Sequence, residues 1–399
     1  MKTIGYLLPS FPDLSQPEIG DEIRAMQARG HRVVVMIGQI GAGQGEPEDM
    51  LIAAMAHAPA NVRAAMTRAI FRRPGRTAHR ALAFILAQKK LPRHELLQAG
   101  LRIASLAREF GCDHLHVHHA GAMTAEAIVA ARWIGITVSF TAHGTNVFSH
   151  PVDLSAKLAY ADLAICPSAE IVEAMEAYKP QAEMALIAGG VSPERFLPSL
   201  KARSNGRLIH FGALTPTNGV DDLIEAARRL GDACPPIDVA GDGPLAAALR
   251  KRADEHGLTD RSVHFLGAVS TSWIIANAPA YQAVILPYKN TTTDTAPTDP
   301  LNVKQAMAMG LPVVTTRIGG IAAMVDQAGL LVEPGNVAAL ANAMKTVAGL
   351  DERTRQALGR KARSHIQGRY ALDLQARALS GLIELIGSDR AARSNRKAA

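Results

Sequence analysis

Two turns in the second half of the chain contain residue types that could hold a small anionic ligand. Gly241-Asp-Gly-Pro244 follows the apolar run Ile237–Ala240, and its proline suits the first turn of a helix. Glycines at a strand-to-helix turn let backbone amides approach an anion at the positive end of the helix. Gly212 follows the run Arg207–Phe211 in the same way. Each turn alone is also typical of an ordinary strand-to-helix connection.

Histidines in the first half suggest chemistry of a second kind. His143 lies in Thr141-Ala-His-Gly-Thr-Asn146, directly after a predicted strand, where a side chain can reach a ligand at the carboxyl edge of a sheet. We therefore predict that His143 is catalytic, with a hydrogen-bonded loop histidine as the alternative. The run His114-Leu-His-Val-His-His119 alternates like a strand, which would place its first, third and fifth residues on one face. Because no carboxylate or cysteine partner is evident for them, we predict no metal site.

The elements that would position these residues are short apolar runs alternating with helical stretches, the pattern of βαβ units on parallel sheets. In the first half we predict strands at Thr3–Leu8, Arg32–Ile37, His114–Val117, Thr137–Thr141, Leu163–Cys166 and Met184–Ile187. After the turn-rich stretch 199–206, we predict strands at Arg207–Phe211, Ile237–Ala240, Val263–Phe265, Ala283–Leu286, Pro312–Thr315 and Leu330–Val332. Two Rossmann-like α/β halves follow from this pattern, with ligands bound beyond the carboxyl ends of their strands.

The composition is that of an ordinary globular protein, with 48% apolar and 20% charged residues in a chain of 399, long enough for two domains. Its three cysteines are far apart and show neither metal-ligand nor disulfide spacing, which suits a reducing cytoplasm. No apolar stretch is long enough to span a membrane, and the N-terminus lacks the features of a signal peptide. We therefore expect a cytoplasmic protein.

The net charge of +7 comes from one segment. Between Asp49 and Glu95 there are nine basic residues and no acidic one, so the rest of the chain carries about −2. Apolar residues interleave with the basic ones, which predicts helices with an apolar and a cationic face. Such helices bind anionic membrane surfaces or lipid-linked phosphates, although a solvated basic face gives the same pattern. With only 4% aromatic residues and no nucleic-acid module, we expect no nucleic-acid partner.

The order and intervals of the motifs resemble bacterial retaining glycosyltransferases of family four over almost the full length of the chain. The resemblance rests on Phe140-Thr-Ala-His-Gly144, Gly190-Val-Ser-Pro-Glu-Arg-Phe196, Gly241-Asp-Gly-Pro244 and Ala306-Met-Ala-Met-Gly-Leu-Pro-Val-Val314, among other motifs. The most similar subgroup builds exopolysaccharides or glycolipids on lipid-linked acceptors. The resemblance implies the GT-B architecture, in which two Rossmann-like domains with parallel sheets face each other across a cleft.

The resemblance also implies a domain order. Residues 1–198 would form an N-terminal acceptor domain that contains the basic amphipathic segment 60–94, and residues 199–370 would form the donor domain. Residues 371–399 would form a helix that returns to the N-terminal domain and ends in a basic tail. To the acceptor or membrane side we assign Ser10, Arg72, Arg73 and Arg76.

In such an enzyme, His143 would lie near the transferred sugar, and the glycines of both turns would line the diphosphate of a nucleotide-sugar donor. The sugar would pass to a lipid-linked or saccharide acceptor with retention, through an oxocarbenium-like state whose leaving diphosphate is stabilised by cations and amides. The resemblance implies no cofactor and no metal. It also suggests a peripheral position on an anionic membrane surface, at the inner face of the membrane.

The sequence departs from the family pattern in the donor site. The Arg and Lys that usually neutralise the diphosphate are Ala213 and Asn218 here, and the two usual glutamates are Pro297 and Gln305. A non-catalytic GT-B protein that serves as a binding or assembly partner, or a transferase that uses a sugar phosphate, therefore remains an alternative. Lysines directed into the pocket would favour the enzyme, and apolar side chains filling it would favour the non-catalytic protein. Our predicted donor-binding residues are Gly212, Asn218, Gly241, Gly243, Lys289, Leu301, Asn302, Lys304 and Gln305.

Overall fold

A computed structural model describes residues 1–11, 17–40, 51–54, 64, 68, 70–72, 74–149, 151–199, 204–259, 261–291 and 298–396. The predicted site residue Arg73 lies outside these ranges, as does Pro297, which replaces one of the two usual glutamates. The chain divides into two compact units, an N-terminal unit of Met1–Ala188 with Gln375–Ala399 and a C-terminal unit of Gly189–Leu374. The predicted domain boundaries, after residues 198 and 370, stay predictions.

The N-terminal unit is built on a seven-stranded parallel sheet. Its strands are β1 (Thr3–Phe11), β2 (Arg32–Ile40), β3 (Leu51–Ala54), β4 (His114–His118), β5 (Thr137–Thr141), β6 (Leu163–Cys166) and β7 (Glu183–Leu186). They lie in the order β3-β2-β1-β4-β5-β6-β7, so the strand order reverses between β1 and β4. All six predicted strands are confirmed within a few residues. The sequence analysis missed β3, a four-residue edge strand of Leu, Ile and two alanines with few β-branched side chains.

Helices cover both faces of this sheet. They are α1 (Pro17–Ala28), α2 (Ala78–Ala87), α3 (Arg93–Glu109), α4 (Ala122–Ile134), α5 (Leu154–Tyr160) and α6 (Ala169–Glu176). Alternate residues of β1 point to opposite faces. Leu7 therefore belongs to the core that contains α3 and α4, whereas Tyr6 belongs to the core that contains α1.

The C-terminal unit is built on a six-stranded parallel sheet. Its strands are β8 (Leu208–Phe211), β9 (Ile237–Ala240), β10 (Val263–Gly267), β11 (Ala283–Leu286), β12 (Val313–Thr316) and β13 (Leu330–Val332). The order β10-β9-β8-β11-β12-β13 reverses between β8 and β11. All six predicted strands are confirmed, because runs such as Ala-Val-Ile-Leu in β11 are apolar throughout, as strands buried on both faces must be.

The helices of the second half pack on this sheet, except for the last one. They are α7 (Val220–Leu230), α8 (Ala246–Glu255), α9 (Thr271–Asn277), α10 (Leu301–Ala308), α11 (Gly319–Val325), α12 (Val337–Ala348), α13 (Glu352–Arg369) and α14 (Leu372–Arg396). From Gln375 onward α14 belongs to the N-terminal unit, where Leu379 and Ile383 pack with Ile4 and Tyr6. None of the described helices is long and apolar enough to cross a membrane.

Candidate functional site

The turns that follow β8 and β9 lie in close backbone contact at the carboxyl edge of the C-terminal sheet. A Cβ atom on Gly241 would lie 1.9 Å from the carbonyl oxygen of Gly212, so only glycine fits there. Gly243 has φ +156°, and a Cβ atom on it would lie 2.8 Å from the carbonyl oxygen of Leu214. The N–H of Leu245 donates to that same oxygen at 3.0 Å. The glycines that the sequence predicted to line a diphosphate are therefore brought together at one point.

Two asparagine side chains complete this turn. Asn218 is 9% exposed, and its Nδ2 donates to the carbonyl oxygen of Ala213 at 2.6 Å. Asn302, in the first turn of α10, donates from Nδ2 to the last carbonyl oxygen of β8 at 3.0 Å and accepts from the Tyr288 hydroxyl at Oδ1. A Cβ atom on Gly212 would lie 2.9 Å from Asn302 Nδ2 and 3.6 Å from Asn218 Nδ2. The structure thus places three of the predicted donor-binding residues side by side.

His210 on β8 is a further polar group at this turn. Its ring is fully buried, and Nδ1 donates to the carbonyl oxygen of Ile285 on β11 at 3.0 Å, across the point where the strand order reverses. Burial lowers the pKa of His210 to about 4, against a smaller opposite effect of this backbone hydrogen bond, so the ring is neutral at neutral pH. Nε2 therefore carries a lone pair that has no hydrogen-bond partner within the described ranges, 3.9 Å from the Cβ position of Gly212.

The two lysines predicted to replace the missing cations are both paired with carboxylates. Lys289 Nζ lies 2.7 Å from Asp221 Oδ2 and 2.8 Å from Asp222 Oδ1, both in the first turn of α7. Lys304 is buried, and its Nζ lies 2.5 Å from Asp299 Oδ1. Both ammonium groups are therefore already neutralised within the C-terminal unit, and their roles in donor binding stay predictions.

The start of α10 presents the other predicted donor-binding residues. Leu301 and Asn302 form its first turn, where backbone amides lie at the positive end of the helix. The N–H of Val303 is bound by the side-chain oxygen of Asn302 at 3.1 Å. Gln305 is buried one turn further along the helix.

In the N-terminal unit, three histidines meet at the carboxyl ends of β4 and β5. The ring centroid of His143 lies 4.3 Å from that of His119 and 5.8 Å from that of His118. His119 has φ +68°, a left-handed backbone conformation that residues other than glycine seldom adopt and that is enriched at functional sites. The sequence predicted His143 as a site residue but not His118 or His119. The position of these two at the end of the histidine run His114–His119, where the strand ends, was the signal that could have found them.

A small cavity lies beside these histidines. It has a volume of about 50 Å³ and is lined by Leu8, Pro9, Ser10, Phe11, Ile19, His118 and His119. These residues come from the ends of β1 and β4 and from α1, at the point where the strand order reverses, which is where open α/β sheets bind ligands. The structure therefore brings Ser10, a predicted acceptor residue, next to the histidine cluster.

A carboxylate does accompany the histidine run, and the sequence inference that none does is wrong. Glu22 on α1 is 2% exposed, and its Oε1 lies 3.2 Å from His118 Nε2 and 3.7 Å from His116 Nε2. Burial raises the pKa of the Glu22 carboxyl, but the two imidazoles and the Tyr6 hydroxyl outweigh burial and hold the pKa at about 2. His114, the first histidine of the run, binds hydroxyl groups of β5 instead.

The basic segment contributes both core and surface. On α2, Phe84 and Ile85 are buried, whereas Leu82 and Leu86 are 46% and 65% exposed. Phe71 is also exposed, as are the predicted residues Arg72 and Arg76 and the neighbouring Arg80, Lys89 and Lys90. The apolar residues of this segment thus do not form the single face that the sequence predicted. Some are in the core, and the others lie on the surface among basic side chains.

Two family models match the chain, one in each half. Glycosyltransferase Family 4 matches residues 19–195, and Glycosyl transferases group 1 matches residues 205–349. The two matches agree with the family that the motifs predicted, whereas the exopolysaccharide or glycolipid subgroup stays a prediction.

Curated relatives are about a quarter identical to this chain over the matched regions. It is 27% identical over 276 residues to glycogen synthase of Mycobacterium tuberculosis, a match that covers 64% of this chain and 65% of the relative. It is 26% identical over 299 residues to a sulfoquinovosyl transferase of Arabidopsis thaliana, covering 67% of this chain and 55% of the relative. The matches thus span just under two thirds and about half of the lengths of these relatives.

Solved structures show the same fold. The chain is similar to HepE of Anabaena in complex with UDP and glucose, with a TM-score of 0.73 and 19% identity over 96% of this chain and 100% of that chain. The predicted α/β GT-B fold, with two Rossmann-like halves, is confirmed.

Proposed function

We propose that this protein is a glycosyltransferase that moves a hexosyl group from a nucleotide-diphosphate sugar to a lipid-linked or saccharide acceptor with retention. The observation that carries the proposal is the pair of locked glycine turns around Gly212 and Gly241, at the switch point of the C-terminal sheet. Backbone amides at such a turn are an anion-binding arrangement. The bound UDP of the similar HepE is a ligand of the same class.

The donor diphosphate would be held mainly by neutral groups. Asn218 and Asn302 each use one N–H of the side-chain amide for a backbone carbonyl oxygen, which leaves a second N–H for a ligand. These amides would act where the family usually has cations, together with the backbone N–H groups at the start of α10. Because neutral hydrogen bonds are weaker than charge-assisted ones, we expect weaker donor binding than an Arg and a Lys would give.

On the sugar, we propose His143 as the catalytic histidine, with His118 and His119 packed against it. An imidazole can stabilise charge or exchange a proton as the glycosidic bond to the donor breaks and the bond to the acceptor forms. The two glycosyltransferase family matches and the retained glycine turns favour transfer over the non-catalytic alternative.

A thermal-shift panel with UDP, GDP, ADP, TDP and CMP tests the donor class. A nucleotide at about 100 times its dissociation constant adds roughly 2.7 kcal/mol of stability, which appears as a higher melting temperature. We expect one nucleotide to give this shift selectively and Gly241→Ala to remove it. Gly349→Ala is the matched control, because its new Cβ atom would make only ordinary contacts of 3.5 Å and longer. A folded protein that responds to none of the five would overturn the proposal.

Transfer itself is tested with the sugar nucleotide that the panel selects. We expect His143→Ala to lower the rate of nucleoside diphosphate release by about 10²–10⁴-fold while nucleotide binding stays unchanged. His94→Ala is the control, because the His94 side chain is 77% exposed and on a different surface element, α3. Equal rates for the two variants would exclude His143 as the catalytic residue.

A further inference from the structure

Three potential metal ligands converge in the core of the N-terminal unit. Glu22, His116 and His118 are 2%, 0% and 8% exposed, and their ligand atoms all lie within 4.8 Å of one another. Both histidines present Nε2 to the same carboxylate oxygen, Glu22 Oε1. One carboxylate and two imidazoles are a donor set that zinc and related divalent ions use in proteins.

The spacing suits an ion of this size. Two ligand atoms that are each about 2.1 Å from a tetrahedral zinc ion lie about 3.4 Å from each other. The distances from Glu22 Oε1 are 3.2 Å to His118 Nε2 and 3.7 Å to His116 Nε2, on either side of that value. Small movements of the two rings would bring all three atoms to bonding distance from one ion.

Other side chains hold two of these ligands in an orientation that a metal requires. Gln375 Nε2 donates to Glu22 Oε2 at 2.6 Å, and the Tyr6 hydroxyl donates to Oε1 at 2.9 Å. His116 Nδ1 lies 2.7 Å from Ser139 Oγ, a contact that suits the tautomer with its proton on Nδ1 and a lone pair on Nε2. The Thr141 hydroxyl lies 3.2 Å from that Nε2, and a bound ion would replace this contact. Such outer contacts orient metal ligands and strengthen metal binding.

We propose that Glu22, His116 and His118 form a site for a divalent transition-metal ion of the zinc class. The site lies behind the cavity of about 50 Å³ that His118 helps to line, and this cavity offers a path for the ion and a water molecule as fourth ligand. Neutral imidazoles and an ionised carboxylate are the protonation states that binding needs.

The test is metal binding by the whole chain. Metal-free protein is dialysed against equimolar Zn²⁺ and its metal content measured, and Co²⁺ is then added as a spectroscopic probe. We expect about one ion per chain and the intense visible absorption of tetrahedral Co²⁺, displaced by Zn²⁺. Less than a tenth of an equivalent of Zn²⁺ together with no such absorption would overturn the proposal, whatever the glycosyltransferase assays show.

Variants distinguish this site from surface histidines. We expect Glu22→Gln and His118→Gln to weaken Zn²⁺ binding at least tenfold, and Gln375→Ala to weaken it by about 10–100-fold. His31→Gln is the matched control, because the buried His31 ring contacts the Lys2 backbone N–H and the Ser380 hydroxyl rather than Glu22 or Ser139. Folding of each variant is checked by circular dichroism without metal. If the folded Glu22→Gln and His118→Gln variants keep the ion as tightly as His31→Gln does, the result is an adventitious ion only and the proposal fails.

Discussion

The ammonium nitrogen of Lys304 lies 2.5 Å from Asp299 Oδ1, and the Lys304 side chain is only 2% exposed. The other oxygen of Asp299 accepts from the N–H of Gly189 at 2.7 Å, and Lys304 also donates to the Gly189 carbonyl oxygen. A lysine that the sequence suggested for a donor phosphate is thus bound to a carboxylate and to the start of the C-terminal unit. This pairing makes Lys304 a determinant of stability.

We predict that Lys304→Met destabilises the protein by about 3–5 kcal/mol, because it leaves the Asp299 carboxylate, whose side chain is only 14% exposed, without its cation. Lys289→Met is the control, and we expect a loss nearer 1 kcal/mol because the Lys289 side chain is 21% exposed and solvent screens its ion pairs. Urea unfolding measures both. Restoration of much of the loss by a second change, Asp299→Asn, would support the buried-charge explanation, whereas equal losses for the two lysine variants would contradict it.

Gly219→Ala should disrupt the turn that precedes α7. Gly219 has φ +66°, and a Cβ atom on it would lie 1.8 Å from the carbonyl oxygen of Pro287, so the backbone must move. Gly231→Ala is the control. Gly231 also has a positive φ, +54°, but a Cβ atom on it would have no neighbour within 4 Å, so this variant measures only the cost of placing alanine in that backbone conformation. We expect Gly219→Ala to cost about 3 kcal/mol and Gly231→Ala about 1 kcal/mol in the free energy of unfolding. Similar values would show that the turn relaxes freely.

Acidification should remove stability through His210. Burial lowers the pKa of this ring to about 4 from its ordinary value of 6.5. Between these two pH values His210 is therefore protonated in the unfolded chain but neutral in the folded one. The contribution is fully present above pH 6.5 and is lost as the pH falls towards 4, by up to about 3 kcal/mol.

Urea unfolding of the wild type and His210→Gln between pH 7 and pH 4 checks this prediction. The variant should lose about 3 kcal/mol less than the wild type over that range, since the other buried histidines titrate in both proteins. Parallel curves would mean that His210 is protonated as easily in the folded state as in the unfolded one.

The exposed face of α2 should bind anionic membranes. Leu82 and Leu86 lie one turn apart beside basic side chains, and each could bury its apolar surface in a bilayer interface. We expect Leu82→Asp and Leu86→Asp each to lower binding to vesicles of anionic and zwitterionic phospholipids by about tenfold or more. Leu197→Asp, at an equally exposed leucine of the C-terminal unit, is the control. Unchanged binding in a vesicle flotation assay would leave this face as a solvated surface.

The sequence by itself determined the two parallel sheets and the glycine turns at their edges. Parallel strands buried on both faces are mostly apolar: β11 is apolar throughout, and β9 is apolar except for Asp238. Positions such as Gly241 admit no side chain, so both features depend on local residue types. The short strand β3 was not predicted because Leu51–Ala54 contains few of the β-branched and aromatic residues that favour strands.

Only the tertiary structure decided which titratable side chains come into contact. Glu22 and His118 are 96 positions apart, and Lys289 and Asp221 are 68 apart, yet each pair is in contact. These long-range contacts depend on the order of the strands and on the rotation of the helices against the sheet, and residue periodicity encodes neither. For that reason the carboxylate beside the histidines, and the neutralised lysines, could not be read from the chain alone.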